Sequence, residues 1–400
     1  MNAVPGLPRV VAALGITQII GWGSLYYSVT VLAAPMAAGL SCDPSWVFAG
    51  FSAALGASGL AAPATGRAID RLGGRTVLSA GSLLASAGLL LLASASNLPW
   101  MFAGWLLIGL AMTGCLYEAA FPALSQLAGA RYRSALTALT LFGGLASTAF
   151  WPLAWHLNEA MGWRQTLAAF AALNLVVCLP LHRYALPRAP GLQPMRHDTT
   201  STDHAPLSRQ QRLCLMWLMT AFTLNAFVFT AIGAHVVGAL NEVGGSKASA
   251  VWIAALIGPL QLAGRMLEFA FARHVSARKV GMACFALTAL ALLLLWQATV
   301  LSGLALLFVI LYGAANGVMT IVRGTVPVEL FGRAQFGRIN GQLAAPAFFA
   351  KASAPMLIAL LLDQGGSYKQ MALVLAAIST AAFIIYLKAD RLVSDPGNQI

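Results

Sequence analysis

The sequence predicts an all-α membrane protein whose twelve transmembrane helices form two pseudo-symmetric six-helix bundles. Of the 400 residues, 59% are hydrophobic and only 9% are charged, whereas about a quarter of the residues in a soluble domain carry a charge. The apolar residues form long stretches divided by short polar connections, and basic residues concentrate in alternate connections. These three observations place the chain in a lipid bilayer.

Long apolar windows define the individual spans, because a bilayer core ~30 Å thick is crossed by about 20 residues of α-helix. The first half contains windows over residues 10–36, 44–64, 76–97, 99–126, 135–158 and 164–182. The second half contains windows over residues 213–240, 248–271, 280–298, 301–327, 339–362 and 368–387. The first window is too long and too rich in glycine for a cleaved signal peptide. We therefore expect it to remain as span one.

The basic residues indicate the orientation of the spans. With the amino terminus in the cytoplasm, most arginines and lysines fall in cytoplasmic connections, and the outer connections hold Arg164, Lys247 and Lys369. This asymmetry follows the positive-inside rule. The net charge of +12 is therefore a topology signal, and no nucleic-acid partner is expected. We expect both termini in the cytoplasm and a location in a cell membrane, such as the bacterial inner membrane.

A polar stretch near the middle divides the chain. Residues 184–212 are rich in proline, serine, threonine and charged residues, a composition typical of a flexible linker. The sequence thus predicts an amino-terminal bundle over 1–183, a linker over 184–212 and a carboxy-terminal bundle over 213–400. One constant offset pairs Pro122 with Pro327 and Trp163 with Tyr368, as expected for two repeats related by an axis along the membrane normal.

The connection between spans two and three carries the most specific motif. Gly66, Asp70, Arg71, Gly73 and Arg75 stand in the pattern G-x-x-x-D-R-x-G-x-R. This pattern resembles the signature loop of the major facilitator superfamily, and the resemblance implies that fold and a transport function. Glycines allow close helix approach and a tight turn, and a carboxylate suits a helix amino terminus. The alternative interpretation is a basic turn that only anchors topology.

Charged residues inside the predicted spans are candidates for function, because an ion within hydrocarbon is costly. They are Glu118, Arg265, Glu268, Arg323 and Lys351. Lys351 lies near the middle of span eleven and needs an anion, which a substrate or a protein carboxylate such as Glu118 could supply. Arg265 lies three residues before Glu268 on the same helix face, so these two could pair with each other.

A narrower resemblance concerns spans seven and eight. His235-Val236 late in span seven and Gly264-Arg265 in span eight resemble the oxalate/formate and monocarboxylate branch of the superfamily. In that branch the arginine of span eight binds the substrate carboxylate, and the oxalate carriers add a lysine in span eleven. Arg265 and Lys351 match these positions. The chain departs from the branch at Gln261, where the acidic residue of the animal carriers is missing, so proton coupling by the same residues is not implied.

The other candidates have two interpretations each. Glu118 is either a proton-coupling group or part of a salt bridge near the cytoplasmic end of span four. Arg323 either makes gating contacts or reaches the membrane surface with its long side chain. His235, Tyr26 and Tyr27 either line the transport pathway or pack within the protein.

These features favour a secondary active transporter that moves a small organic anion, a mono- or dicarboxylate, by alternating access. The alternative is a proton-coupled exporter of drugs or metabolites, although span five lacks a Gly-Pro-rich antiporter motif. A non-transporting membrane sensor is a third option. No phosphate-binding loop, catalytic cluster or metal-ligand spacing is readable, so we expect no enzyme activity, no cofactor and no metal. The expected partners are the anionic substrate, protons as coupling ion and the lipid bilayer, with a monomer as the functional form.

Overall fold

The computed structural model describes residues 6–187, 207–244, 247–272, 274–298 and 303–394. Over these ranges the chain is helical almost throughout and forms no strand. The fold is therefore all-α, as the composition predicts.

The helices follow one another with short connections. In the first half they are α1 Leu7–Gly21, α2 Val29–Gly39, α3 Pro44–Leu72, α4 Gly74–Ala93, α5 Leu98–Cys115, α6 Tyr117–Ala128, α7 Tyr132–Gly144 and α8 Ala146–Leu173. In the second half they are α9 Arg209–Gly244, α10 Lys247–Ala255, α11 Ile257–Leu267, α12 Ala277–Gln297, α13 Leu304–Phe331, α14 Phe336–Asp363 and α15 Tyr368–Ser394. Short π-helical segments extend or join some of them, namely Trp22–Tyr27, Asn174–Cys178, Leu181–Ala185 and Glu268–Ala272.

The described helices supply the twelve predicted spans. Ten helical stretches within the described residues are long and apolar enough to cross a membrane, and one of them, Leu98–Ala185, contains spans four, five and six. Span one consists of α1, the π-helical segment and α2. Gly162, with φ of 82° inside α8, separates span five from span six, because only glycine adopts this conformation without strain.

Small residues allow the helices of the amino-terminal bundle to pack closely. A Cβ added at Gly109 in α5 would overlap the carbonyl oxygen of Ala54 in α3, and one added at Gly81 in α4 would overlap the backbone of Gly114. Ser58 Oγ donates across the same α3–α5 interface to the carbonyl oxygen of Gly109 at 2.7 Å. Close backbone approach and interhelical hydrogen bonds are the usual means of association in lipid, where no hydrophobic driving force acts between helices.

Glycines also allow the helices of the carboxy-terminal bundle to pack at backbone contact. A Cβ added at Gly264 in α11 would overlap the backbone of Ala314 in α13, and one added at Gly317 would overlap the carbonyl oxygen of Gln261. A core of buried apolar residues from α9, α12, α13, α14 and α15 surrounds Phe308, Tyr312 and Met371. The helices α11 and α13 are therefore held at backbone contact, which matters for the charged residues they carry.

One local contact recurs in each bundle and supports the repeat. Gln126, near the end of α6, accepts a hydrogen bond from the amide of Gly74 at the start of α4. Glu329, near the end of α13, accepts one at 2.7 Å from the amide of Ala277 at the start of α12. Each side chain thus satisfies a backbone donor of a helix amino terminus.

Residue contacts divide the chain into two compact units. The first comprises Met1–His204 and Arg333–Ala345, and the second comprises Ala205–Gly332 and Pro346–Ile400. The first part of helix α14, up to Ala345, thus belongs to the first unit, and the part from Pro346 onward belongs to the second. Most of the predicted linker, residues 188–206, lies outside the described residues. The division into 1–183, 184–212 and 213–400 stays a prediction.

We expect Gly109→Ala to destabilise the first unit, because the added Cβ forces α3 and α5 apart. Overpacking of this kind costs about 1–3 kcal/mol. The matched control is Gly233→Ala in α9, where no atom lies within 4 Å of the added Cβ. Thermal unfolding of the purified protein in detergent should show a lower Tm for Gly109→Ala and an unchanged or higher Tm for Gly233→Ala. Equal Tm values in the two variants would contradict the packing argument.

Candidate functional site

The signature loop holds the beginning of α14. Asp70, in the last turn of α3, accepts hydrogen bonds from the amides of Gly337 at 2.9 Å and Arg338 at 2.7 Å. Both amides belong to the first turn of α14, where backbone donors have no helical partner and the helix dipole is positive. A carboxylate is therefore the favoured side chain at this position.

Two glycines make this contact possible. A Cβ at Gly66 would overlap the carbonyl oxygen of Gly337, and a Cβ at Gly337 would overlap Asp70. Gly73 has φ of 78° and lets α3 turn directly into α4. Arg71 is exposed and Arg75 is half-buried, so the two basic residues occupy different environments at the same turn.

Further contacts secure the segment Arg333–Ala345 within the first unit. The Arg333 guanidinium lies 5.9 Å from the ring centroid of Tyr132, and the Phe336 ring packs edge-on against the same tyrosine. Asn340 Nδ2 donates to the backbone carbonyl of Glu118 at 3.0 Å. The segment thus contacts α3, which bears Gly66, Asp70 and Arg71, and α6, which bears Glu118.

Glu118 lies at a break in span four. Helix α5 ends at Cys115, Leu116 is extended, and α6 begins at Tyr117. The Glu118 side chain is buried, with 4% of its surface exposed, in the first turn of α6, where the helix dipole stabilises a carboxylate. Broken membrane helices whose ends lie inside the bilayer are typical of transporter binding sites.

Arg265 and Glu268 lie at the end of α11 and are both buried, with 6% and 4% of their surface exposed. Arg265 Nε donates to the carbonyl oxygen of Gly317 at 3.1 Å, and Nη2 lies 3.5 Å from Thr320 Oγ1. The close α11–α13 packing at Gly264 makes this reach possible. A backbone carbonyl in α13 therefore fixes the plane of the guanidinium.

Lys351 lies in the middle of α14 and is half-buried. Its Nζ lies 5.1 Å from the ring centroid of Phe348, one turn earlier, a distance at which a cation is attracted to an aromatic face. Pro346 and Pro355 bracket the lysine. Each proline removes a backbone donor from the helical ladder, which makes α14 easier to bend around Lys351.

Two further candidates lie in the same unit. His235 Nε2 lies 3.1 Å from the carbonyl oxygen of Pro355. Since a carbonyl only accepts, this nitrogen carries the proton and the histidine ties α9 to α14. Arg323 is half-buried in α13, four residues before Pro327. His235 thus contacts α14 at Pro355, about one helical turn after Lys351.

Aromatic side chains converge in the first unit on the π-helical segment of span one. We call Trp22, Tyr26, Tyr27, Phe51 and Tyr117 the aromatic wall. Neighbouring rings are in direct contact, with centroids 5.2 Å apart for Trp22 and Tyr117, 5.3 Å for Trp22 and Tyr26, and 5.2 Å for Tyr26 and Phe51. The two tyrosines predicted from span one therefore belong to a larger surface.

A buried polar network in the first unit was not predicted from the sequence. His182 Nδ1 lies 2.8 Å from Ser82 Oγ, and Nε2 lies 2.9 Å from Thr17 Oγ1. The Thr17 hydroxyl proton goes to the carbonyl of Leu14, so Nε2 must donate and Nδ1 of the neutral ring must accept from Ser82. The Ser82 hydroxyl also reaches the carbonyl of Leu78. The network thus joins α1 and α4 through His182, with one hydroxyl on either side of the ring.

This network was missed because a single histidine near a span end carries no pattern. The available signal was the polar pair Thr17-Gln18 inside span one. Gln18 is fully buried, and its Nε2 donates to the carbonyl of Cys115 at 2.8 Å, beside the break in span four. Among the described residues no group of three histidine, cysteine or acidic side chains could hold a metal ion.

Buried charges, a broken span and polar groups inside membrane-length helices define a class, a multi-pass membrane protein whose spans contain polar and charged side chains. The family follows from comparison with known proteins. The model of the Major Facilitator Superfamily matches residues 14–273, more than half of the chain, so the protein belongs to this superfamily of transporters. Comparison with curated proteins found no match to the sequence.

Two solved transporters are similar in structure. The human organic anion transporter MFSD10 (TETRAN) aligns with a TM-score of 0.74 and 16% identity, over 96% of this chain and 100% of that one. The proton:xylose symporter XylE, bound to 6-bromo-6-deoxy-D-glucose, aligns with a TM-score of 0.75 and 14% identity, over 96% of this chain and 95% of that one. At such identities the likeness shows a shared fold alone.

We expect Asp70→Asn to loosen the beginning of α14, because an amide has one acceptor oxygen where the carboxylate offers two. Losing a helix cap costs about 0.5–2 kcal/mol, enough to shift a balance between two conformations severalfold. Turnover should slow, while substrate affinity stays within a few fold. Reporter cysteines on the two membrane faces, tested with a membrane-impermeant thiol reagent, should change in accessibility.

Asp43→Asn is the matched control. Asp43 caps α3 by accepting a hydrogen bond from the Ser45 amide at 2.8 Å, and hydrogen bonds from Ser45 lower the pKa of its carboxyl group. This cap lies on an exposed turn, so we expect unchanged accessibility and turnover. A defect of Asp70→Asn in affinity alone would contradict a conformational role.

Proposed function

We propose that the protein is a secondary active transporter that moves a small organic anion, a mono- or dicarboxylate, across the membrane by alternating access. The observation that carries the proposal is the pair of basic residues, Arg265 and Lys351, inside membrane-spanning helices of the second unit. A cation in the hydrocarbon region costs several kcal/mol, so a chain that keeps two of them gains something in return. Attraction of an anionic substrate is the simplest gain.

The surroundings of the two cations suit different roles. Arg265 is oriented by the carbonyl of Gly317, and a guanidinium held in one plane presents its remaining edge to a carboxylate in a fixed geometry. Lys351 is a point charge on a flexible stem between two prolines. Because α14 can bend around it, Lys351 is suited to follow a substrate between two conformations.

Acidic residues are the candidates for coupling to protons. Glu118 lies buried at the break in span four, and Glu268 begins the π-helical segment after α11. We assign proton binding to Glu118, with Glu268 and Arg323 in coupling or gating roles. The protein works in this proposal as a monomer in the bacterial inner membrane, with both termini in the cytoplasm.

A second candidate is a proton-coupled exporter of drugs or other amphiphilic metabolites. The observation in its favour is the aromatic wall, since flat apolar compounds bind to aromatic surfaces. The two candidates differ in the charge of the ligand. The cations of the second unit repel a cationic drug and attract a carboxylate.

We expect Lys351→Ala to abolish uptake of organic acids into proteoliposomes, because the counter-charge of the substrate is lost. Folding should survive, since removal of a half-buried ammonium relieves a desolvation cost. Lys351→Arg should retain part of the activity. Lys369→Ala removes an exposed lysine at the start of α15 and serves as the control. Normal uptake by Lys351→Ala would refute the assignment.

We also expect carboxylates to bind more tightly than their methyl esters by about ten- to hundredfold, since an ester cannot form the charged contact that a carboxylate makes with Arg265 or Lys351, a loss of roughly 1–3 kcal/mol. Thermal shifts of the purified protein with benzoate, succinate, methyl benzoate and ethidium check this order. Stabilisation by ethidium and by no carboxylate would favour the exporter.

A further inference from the structure

The aromatic wall has two layers. All five of its rings are half-buried, so each keeps part of its surface accessible. Behind them lie two rings that are almost fully buried, Trp105 with 3% and Phe121 with 2% of the surface exposed. Trp105 packs edge-on against Phe51, and Phe121 stacks on Tyr117 at 4.7 Å. The wall is therefore a rigid surface with one accessible side.

The position of the wall argues against contact with lipid. Tryptophan and tyrosine are enriched where membrane helices reach the interface, yet Trp22, Tyr26 and Tyr27 lie midway between Leu7 and Gly39 in span one. Their hydroxyl and N–H groups would be costly against hydrocarbon at that depth. Side chains with polar tips at mid-span are better explained by a surface that a solute reaches.

The backbone at the wall is specialised as well. Residues Trp22–Tyr27 form a π-helix within an α-helical span, and π-helical insertions are frequent at functional sites. Gly23 allows Phe150 to pack directly on this segment, and Gly21 does the same for Leu116. From this segment Trp22 contacts Tyr117 in α6, Tyr26 contacts Phe51 in α3, and Tyr27 contacts Trp151 in α8.

The spacing of the rings indicates what kind of group they bind. Centroids 5.2 to 5.3 Å apart mean that the rings touch one another edge to face and leave no cage between them. An aromatic cage for a quaternary ammonium requires rings that stand apart around the ion. The wall instead offers its outer surface, which carries no formal charge, to a flat apolar group.

We propose that the aromatic wall is a binding surface of the first unit for a planar aromatic group of the transported solute, so that the preferred substrates are aromatic carboxylates. This inference rests on the proposed function, because the charge of the ligand is assigned from Arg265 and Lys351. It adds what those cations do not determine, the shape and chemistry of the rest of the substrate. Small acids such as acetate and oxalate have no surface to stack and are poor substrates.

The test is calorimetric titration of the purified full-length protein in lipid nanodiscs with 2-naphthoate, benzoate, cyclohexanecarboxylate, acetate and oxalate. We expect 2-naphthoate to bind about tenfold more tightly than cyclohexanecarboxylate and at least hundredfold more tightly than acetate. Trp22→Leu should lower the affinity for 2-naphthoate about tenfold and change that for acetate less than twofold.

Ring-preserving variants separate stacking from misfolding. The Trp22 indole N–H has no hydrogen-bond partner among the described residues, so Trp22→Phe removes no hydrogen bond and should keep most of the affinity for 2-naphthoate. Tyr26→Phe should behave in the same way, and Tyr26→Leu should not. Trp252→Leu, which removes a tryptophan that is 76% exposed in α10, controls for the loss of a large aromatic residue elsewhere.

The outcomes distinguish the two proposals. If acetate and oxalate bind as tightly as 2-naphthoate, and Trp22→Leu has no effect, the aromatic inference is wrong and the anion transporter stands. If no carboxylate binds, whatever its shape, the proposed function itself is wrong. Binding of ethidium or xylose that depends on Trp22, in the absence of naphthoate binding, overturns both.

Discussion

Everything in this fold follows from the absence of hydrogen-bond partners in a lipid bilayer. A peptide group that crosses hydrocarbon must bond within its own segment, so the apolar stretches of the chain have to be helices. Because lipid is as apolar as leucine, the helices cannot be held together by the hydrophobic effect and depend on close backbone contact. Gly81 against Gly114 and Gly264 against Ala314 are the places where the bundles meet this requirement.

The lack of hydrogen-bond partners in lipid also makes the interruptions of the regular helices informative. Span four breaks at Leu116, beside Glu118 and close to Gln18. Span one widens into a π-helix at the aromatic wall, and α11 passes into another π-helix at Glu268. Each interruption departs from the regular i→i−4 backbone hydrogen bonds of an α-helix, and lipid offers no partners that replace them. Their coincidence with the buried charges and the polar aromatic residues is what a transport pathway requires.

The sequence predicts the fold well because the signals are strong. Apolar windows of span length are hard to mistake, and most helices begin and end within a few residues of the predicted bounds. Helices α3 and α15 continue further, to Leu72 and Ser394 against predicted ends at 64 and 387. The register in which the two halves align is predicted less precisely. The offset that pairs Pro122 with Pro327 differs by two positions from the offset that pairs Gln126 with Glu329 in the recurring contact. In helices of low sequence complexity several offsets align similar residues, and only the contacts determine which offset is correct.

The candidate site is predicted less completely, for a physical reason. A charge inside a span is visible from composition alone, so Glu118, Arg265, Glu268, Arg323 and Lys351 stand out. A neutral histidine or a glutamine is visible only through its neighbours, so His182 and Gln18 do not. The full extent of the aromatic wall cannot be predicted from the sequence either, because Phe51 and Tyr117 lie on helices that are far from span one along the chain.

The two units carry different chemistry despite their shared architecture. The first unit has the wall, the buried side chain of Glu118 and the polar network around His182. The second has Arg265 and Lys351 within its spans. The two repeats have therefore kept the close helix packing that the bilayer requires, and they have diverged in the side chains that this packing does not constrain.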